Sequence, residues 1–504
     1  MKSDYLHKIL TARVYDVAIE TPLELARLLS GRLNNNVLFK REDLQSVFSF
    51  KLRGAYNKLS RLQPDELTNG VICSSAGNHA QGVALAARKL GTRAVIVMPE
   101  STPTIKSTAV ESLGGEVILH GATYDDAHEY ALALASEQQL TFIHPFDDPD
   151  VIAGQGTIGM EIHRQHSGSI DAIFVPIGGG GLIAGIALYF KSLNPETRII
   201  GVEPEDAASM TAAFKAGEPV TLDDVGIFAD GVAVRRVGDE TFKICRELID
   251  DIVIVDNDAI CAAIKDIFED TRSIVEPAGA LAVAGLKRYI ETTGATRQTL
   301  VTINCGANVN FDRLRHIAER AALGEHREAL FAVEIPEQQG SFMAFCQAIG
   351  KRNITEFNYR YQDAAAAHIF VGIELRRGNE EREEIFTSLT NAGYPVIDIT
   401  DNEMAKLHAR HMVGGPSPNI NDERVYQFKF PERPGALLAF LTSVGNYWNI
   451  SLFHYRNHGS DYGRVLAGVQ VPGDELERFR RHLDDLGYLH TDESNNPVYK
   501  MFLT

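Results

Sequence analysis

Residues 172–185 read AIFVPIGGGGLIAG. A short β-branched run, AIFVPI (172–177), ends in four glycines, and LIAG opens a helix. Consecutive glycines let a backbone come close to a ligand, and bare N–H groups at a helix start form an anion cradle. Working outward, the same order recurs. VICSS (71–75) leads into a helix, AVIVM (94–98) into TIKSTAVESLG, and EVILH (116–120) into a helix near Asp125–Ser136. RIIGVE (198–203), DIVIVD (251–256) and TLVTIN (299–304) continue the alternation. Such alternation predicts an α/β fold that is doubly wound and mostly parallel, with ligands beyond the carboxyl ends of its strands.

Composition narrows the partners. A chain of 504 residues, 44% hydrophobic and 23% charged, is globular and too long for one core. Acidic residues outnumber basic ones 67 to 49, and a net charge of −18 repels nucleic acid. The cysteines, Cys73, Cys245, Cys261, Cys305 and Cys346, stand singly. That spacing predicts a reducing cytoplasm and neither a disulfide framework nor a structural metal. Charges break every apolar run near the N-terminus, and no later run is long enough to span a membrane.

Beyond residue 324 the pattern repeats at a spacing of 95 to 96 residues. FAVEIPEQQGSFMAFCQAIGKRNITEFNYR (331–360) returns as YQFKFPERPGALLAFLTSVGNYWNISLFHYR (426–456). Pro336 and Gly340 match Pro431 and Gly435, and Ile354, Phe357, Tyr359 and Arg360 match Ile450, Phe453, Tyr455 and Arg456. HIFVGIEL (368–375) and RVLAGVQV (464–471) add a strand to each copy. Each unit reads as β-α-β-β-α, and HMVGGPSPNINDER (411–424) links them. Neither copy holds a cluster suggesting chemistry, so they read as paired binding modules.

Three features suggest chemistry. The first is Lys51, in FSFKLRGAYNKL (48–59). Ser49 suits an N-cap, Phe50 and Leu52 start an apolar face, and Arg53, Lys58 and Arg61 read as solvated charge. Lys51 then stands at the positive end of the helix dipole, where an acid is expected. There and near a dry pocket its neutral, nucleophilic form is favoured. The second is CSSAGNHAQG (73–82), which puts Ser75, Ala76, Gly77 and Asn78 at a helix start, suited to a carboxylate, with the Asn78 amide suited to a phenolic oxygen. The third is the tetraglycine loop. Gly179, Gly181 and Ala184 also satisfy a dinucleotide pattern, with Glu203 as a candidate ribose acid, whereas the absence of Lys-Ser/Thr disfavours ATP. A nucleophilic amine, a phosphate cradle and a carboxylate loop together are what a pyridoxal 5′-phosphate enzyme acting on an amino acid needs.

SFKLRGAYNKL, SAGNHAQGVA, PIGGGGL and CGANVNF, followed by the doubled IPE…GSF and FPERPGAL modules, resemble the biosynthetic threonine deaminase (threonine ammonia-lyase) family almost from end to end. The resemblance implies a fold-type II pyridoxal-phosphate domain over 1–324 and α+β, ACT-like regulatory domains over 328–400 and 423–494. It implies that Lys51 carries the cofactor and abstracts the proton, with Phe50 beside the ring and Asn78 on its 3′-oxygen. Gly178, Gly179, Gly180, Gly181 and Leu182 would enclose the phosphate, and Cys305 would face the pyridine nitrogen. Ser75, Ala76, Gly77 and Asn78 would hold the substrate carboxylate. Cys305 stands where many bacterial relatives have Ser, and a thiol cannot hold the ring protonated as Asp would. Ala76 stands where related serine racemases carry an acid serine. Also implied are L-threonine and L-serine as substrates, isoleucine as inhibitor, valine as activator and a homotetramer. An NAD-dependent dehydrogenase and a noncatalytic amino-acid sensor remain as alternatives. Candidate effector contacts lie at the repeat elbows, Gly340–Phe345 and Gly435–Phe440.

Overall fold

Ten strands build the first part of the chain. They are β1 (Leu23–Leu25), β2 (Asn36–Lys40), β3 (Val71–Ser74), β4 (Ala94–Met98), β5 (Glu116–Leu119), β6 (Thr141–Phe142), β7 (Ala172–Pro176), β8 (Arg198–Pro204), β9 (Asp251–Val255) and β10 (Thr299–Ile303). The computed structural model describes residues 2–338, 340–360, 366–407, 409–411, 417, 420–431, 440–442, 444, 447–456, 462–496 and 499. It divides into two compact units, Met1–Gly324 and Glu325–Thr504.

In the first unit the strands form two sheets. One has six strands in the order β1-β2-β10-β7-β8-β9, parallel except for β1 against β2. The other has the order β5-β4-β3-β6 and is parallel throughout. All residues of β4 and β7 are buried, as expected for central parallel strands covered by helices on both faces. The alternation of strand and helix carries no mark of where one sheet stops and the next begins. It also passes over β1 and β2, which lie outside the regular alternation; β2 nevertheless pairs with β10 along its whole length.

The helix Lys51–Leu59 is wedged between two others. A Cβ on Gly82, in the helix Asn78–Leu90, would meet Leu52 Cα at 3.1 Å. One on Gly154, in the helix Pro149–Gln165, would meet Gly54 Cα at 2.7 Å and the Arg53 carbonyl oxygen at 2.8 Å. Glycine at these positions lets backbones touch. Arg53, read from sequence as solvated, is fully buried. Its guanidinium bridges Glu42 (Nε to Oε2, 2.8 Å) and Glu161 (Nη1 to Oε1, 2.6 Å), and Lys40 Nζ lies 2.6 Å from Glu161 Oε2. Two cations and two carboxylates balance, which is what permits the charge inside.

The second unit is antiparallel. Its strands are β11 (Glu328–Pro336), β12 (Ile354–Arg360), β13 (Ala366–Glu374), β14 (Val396–Asp398), β15 (Glu423–Pro431), β16 (Asn449–Arg456), β17 (Tyr462–Gln470) and β18 (His490–Asp492). They make one sheet, β14-β11-β13-β12-β16-β17-β15-β18. Each copy gains a short closing strand, β14 or β18, beyond the β-α-β-β-α reading. The copies join edge to edge through β12 and β16, with Phe357 opposite Tyr455 and Tyr359 opposite Phe453. Equivalent positions cross over, so the register is self-complementary, like that of a two-fold interface.

Candidate active site

The carboxyl ends of β7 and β10 and the first residues of the helices Lys51–Leu59, Asn78–Leu90 and Gly181–Leu193 converge on one cleft. Phe50, Lys51, Asn78, Gly178, Gly179, Gly180, Gly181, Leu182 and Cys305 all line it. Ser75, Ala76 and Gly77 precede Asn78 in the same loop but do not line the cleft itself. A Cβ on Gly77 would meet nothing within 4 Å, so the loop has open space beside it.

Lys51 begins its helix, with Phe50 in the cap position; Ser49 Oγ still accepts the Lys51 N–H, at 3.4 Å. The segment before it is tied to the loop after β10. Ser49 bridges Gly306, and the Phe50 N–H donates to the Cys305 carbonyl at 3.3 Å. Lys51 Nζ donates to the Gly231 carbonyl at 3.3 Å. Burial lowers the Lys51 pKa below the usual lysine range, against the opposing pull of Glu276, Cys305 and Asp230. Neighbouring His79 is also kept neutral; burial lowers it to about 3, and its Nε2 lies 2.9 Å from the Ile143 carbonyl.

In the glycine loop Gly180 has φ +96°, open to glycine at little cost, and a Cβ there would strike Thr241 and Met210 at 2.9 Å. Thr241 Oγ1 donates to the Gly179 carbonyl at 2.6 Å, and Phe146 packs so closely that a Gly179 Cβ would lie 2.2 Å from its ring. The N–H groups at the start of the helix Gly181–Leu193 have no partner within that helix. Cys305 is buried, and its thiol donates to the Ala278 carbonyl at 3.2 Å. Burial and then Glu276 raise its pKa, so it stays neutral.

Glu276, Asn308, Phe146 and Gly231 were missed in the sequence. Glu276 lines the cleft and accepts from Asn78 Nδ2 at 2.7 Å; burial and then Asp230 push its carboxyl up to about 7. In sequence it is an acid before Pro277 at a helix start, with nothing to distinguish it from an ordinary helix entrance. Asn308, inside the CGANVNF motif, donates to Asn78 Oδ1 at 2.6 Å. Glu203, the candidate ribose acid, is fully buried and accepts from the Met210 and Thr211 N–H groups at 2.7 and 2.9 Å. It caps the helix Ser209–Ala216, which removes the support for a dinucleotide. Among the described residues no group of His, Cys, Asp and Glu is placed to hold a metal.

The donor set fits pyridoxal phosphate. An amine whose neutral form is favoured, unpaired helix-start N–H groups on a glycine loop, an amide and an uncharged thiol meet in one cleft. These are partners for an aldehyde, a phosphate, a ring hydroxyl and a pyridine nitrogen.

A smaller groove lies in the second unit, between the repeats. Gly340, Ser341 and Phe342 of the first elbow face Tyr359, Trp448 and Ile450 there. Tyr359 Oη donates to Glu337 at 2.7 Å, and burial raises the Glu337 carboxyl. Of the second elbow, residues 435–439 lie outside the described residues.

A family model described as pyridoxal-phosphate dependent enzyme matches residues 14–306, more than half of the chain, and defines its class. A second, described as C-terminal regulatory domain of threonine dehydratase, matches residues 319–409 and 414–503. The L-threonine dehydratase biosynthetic IlvA of Burkholderia multivorans is 58% identical, covering 99% of both chains. That of Escherichia coli is 54% identical over 99% of this chain and 97% of its own. The solved structure of the processed form of threonine deaminase isoform 2 from Solanum lycopersicum shares 55% identity at a TM-score of 0.63, covering 64% of this chain and 93% of its own. The chain belongs to the biosynthetic threonine dehydratase family.

Proposed function

We propose that the protein converts L-threonine to 2-oxobutanoate and ammonia, the committing step toward isoleucine, and that it also takes L-serine. The observation that carries this reading is the convergence of Lys51, Asn78, Cys305 and the tetraglycine loop on one cleft. Pyridoxal phosphate, when bound, supplies the electron sink that makes an amino acid's α-hydrogen acidic. Lys51 would hold the cofactor's aldehyde group and, as the free amine, would take the α-proton, a role that its lowered pKa suits. Gly178, Gly179, Gly180, Gly181 and Leu182 would hold the phosphate, Phe50 would flank the ring and Asn78 would donate to the ring oxygen. Cys305, kept neutral, would leave the pyridine nitrogen unprotonated, which would favour loss of the β-hydroxyl over transamination. The N–H groups of Ser75, Ala76, Gly77 and Asn78 orient the substrate carboxylate. Ala76 has no hydroxyl with which to return a proton, so racemisation is minor.

We assign catalysis to residues 1–324 and regulation to 328–400 and 423–494. Isoleucine inhibits and valine relieves the inhibition; the groove at Gly340–Phe342 and Tyr359, apolar with a carboxylate at its edge, suits a branched-chain amino acid. A coupling of about 1–3 kcal/mol gives roughly 5–150-fold inhibition. We place the enzyme in the cytoplasm as a homotetramer; its five buried free thiols and the lack, among the described residues, of a helix fit to cross a membrane support a reducing, aqueous compartment.

The test is 2-oxobutanoate release from L-threonine by the wild type and Lys51→Ala, with and without isoleucine. Turnover should fall at least about a thousandfold in the variant, with unchanged circular dichroism and no borohydride-fixed cofactor. A Lys51→Ala protein that still turns over, or retains reducible cofactor, refutes the assignment.

A further inference from the structure

The Asn78 side chain is held at both ends. Asn308 Nδ2 donates to two oxygens, the Val47 carbonyl at 2.8 Å and Asn78 Oδ1 at 2.6 Å. A nitrogen flanked by a backbone carbonyl fixes which end of Asn308 is the donor, and so which end of Asn78 is its oxygen. The Asn78 nitrogen must therefore face Glu276, whose Oε1 accepts from it at 2.7 Å. One N–H of Asn78 remains for the cleft. Glu276 is itself locked. Its N–H donates to the Gly306 carbonyl at 3.1 Å, its own carbonyl accepts from Gly279 at 2.8 Å, and a Cβ on Gly306 would lie 2.4 Å from its Oε1. Glycine at 306 makes room for this carboxylate, which is 97% shielded from solvent (3% exposed).

We propose that Glu276 is a positioning residue for the reaction, orienting the Asn78 amide so that its remaining N–H meets the ring oxygen of the cofactor. This rests on the reading of Asn78 given under the proposed function. A buried carboxylate is an expensive way to hold one amide, and its surroundings suggest why it is there. Lys51 from the helix Lys51–Leu59, Asp230 from the single helical turn Asp230–Val232, Lys106 from the helix Thr104–Ser112, Cys305 from the loop after β10 and Asn78 all act on it. Burial and then Asp230 raise its carboxyl, while Asn78, Lys51 and Lys106 lower it, for a balance of about 7. In the working range Glu276 therefore exists in two states. Ionised, it accepts strongly from Asn78; protonated, it accepts weakly and can compete as a donor.

The test uses the full-length holoenzyme as wild type, E276Q, E276A, N78A and N78A/E276A. Measured are the pyridoxal phosphate dissociation constant, the visible spectrum of the bound cofactor across roughly pH 5.5 to 9, and kcat and KM with threonine. E276A should weaken cofactor binding about tenfold and shift the visible band, as N78A does, with the double variant no worse than either single one. E276Q keeps an acceptor without the charge; it should hold affinity within about twofold while flattening the pH dependence of the spectrum near neutrality. Should E276A fail to fold, that flattening in E276Q still decides. An N78A effect with none in E276A, additive losses in the double variant, or an unflattened E276Q overturns the proposal. A silent N78A overturns the underlying reading of Asn78 and the proposal with it.

Discussion

In the proposed reading, Cys305 is the residue that would set elimination apart from other pyridoxal chemistry. Its thiol is buried, donates to a carbonyl and stays uncharged. Cys305→Ser should keep threonine turnover within about threefold, whereas Cys305→Asp should lower it by more than about tenfold, since at the position proposed to face the ring only a carboxylate would change the charge. Equal kcat/KM in all three proteins would count against the assignment. Glu276 gives a second expectation, in stability. Its folded pKa, about 7, lies above its ordinary value near 4.5, so its contribution is full below that value and is lost as pH rises through about 7. Glu276→Gln should therefore raise the urea midpoint of the apoprotein at about pH 8 and lose that advantage by about pH 5. Lys51, the glycine loop and Asn78 were legible in the sequence because a cation at a helix start is out of keeping there, and in combination with it the two loops read as more than an ordinary cap and turn. Glu276 was not, because an acid before Pro277 satisfies the ordinary rules of a helix start. Arg53 was read as solvated because its partners, Glu42 and Glu161, are distant in the chain and only folding brings them together.

The elements that present these residues are held by contacts too close for side chains. In Gly154→Ala the new methyl would meet Gly54 Cα and the Arg53 carbonyl oxygen, at 2.7 and 2.8 Å, and backbone cannot rotate away as a rotamer can. The cost should be about 1–3 kcal/mol, seen as a lower denaturant midpoint; because the displaced helix begins with Lys51, kcat should fall too. An unchanged midpoint would mean that the helices separate more easily than their packing implies. Seven of the ten strands of the first unit and their order were plain from hydropathy, as was the doubling of the second unit, whereas β1, β2 and β6 were not. Which strands share a sheet was not, because pairing is decided by packing between distant segments. β14 and β18 escaped notice because three residues are too few to show a period.

Across the molecule, the two units separate the candidate active site from a region with no catalytic cluster among its described residues. A chain ending after about Leu323 should still release 2-oxobutanoate from threonine but ignore isoleucine, measured as an inhibition curve on the purified, soluble fragment. Full inhibition in that fragment would move the effector site into the first unit. The ladder between β12 and β16 bears on a different shortening. Removing only residues beyond about 421 would strip β12 of β16 on one side and leave a row of unpaired amides and carbonyls along its edge between Glu356 and Arg360, an invitation to stick to the same edge of another copy. The repeats can be lost together, but shedding one alone should yield a protein that precipitates rather than one with half its control.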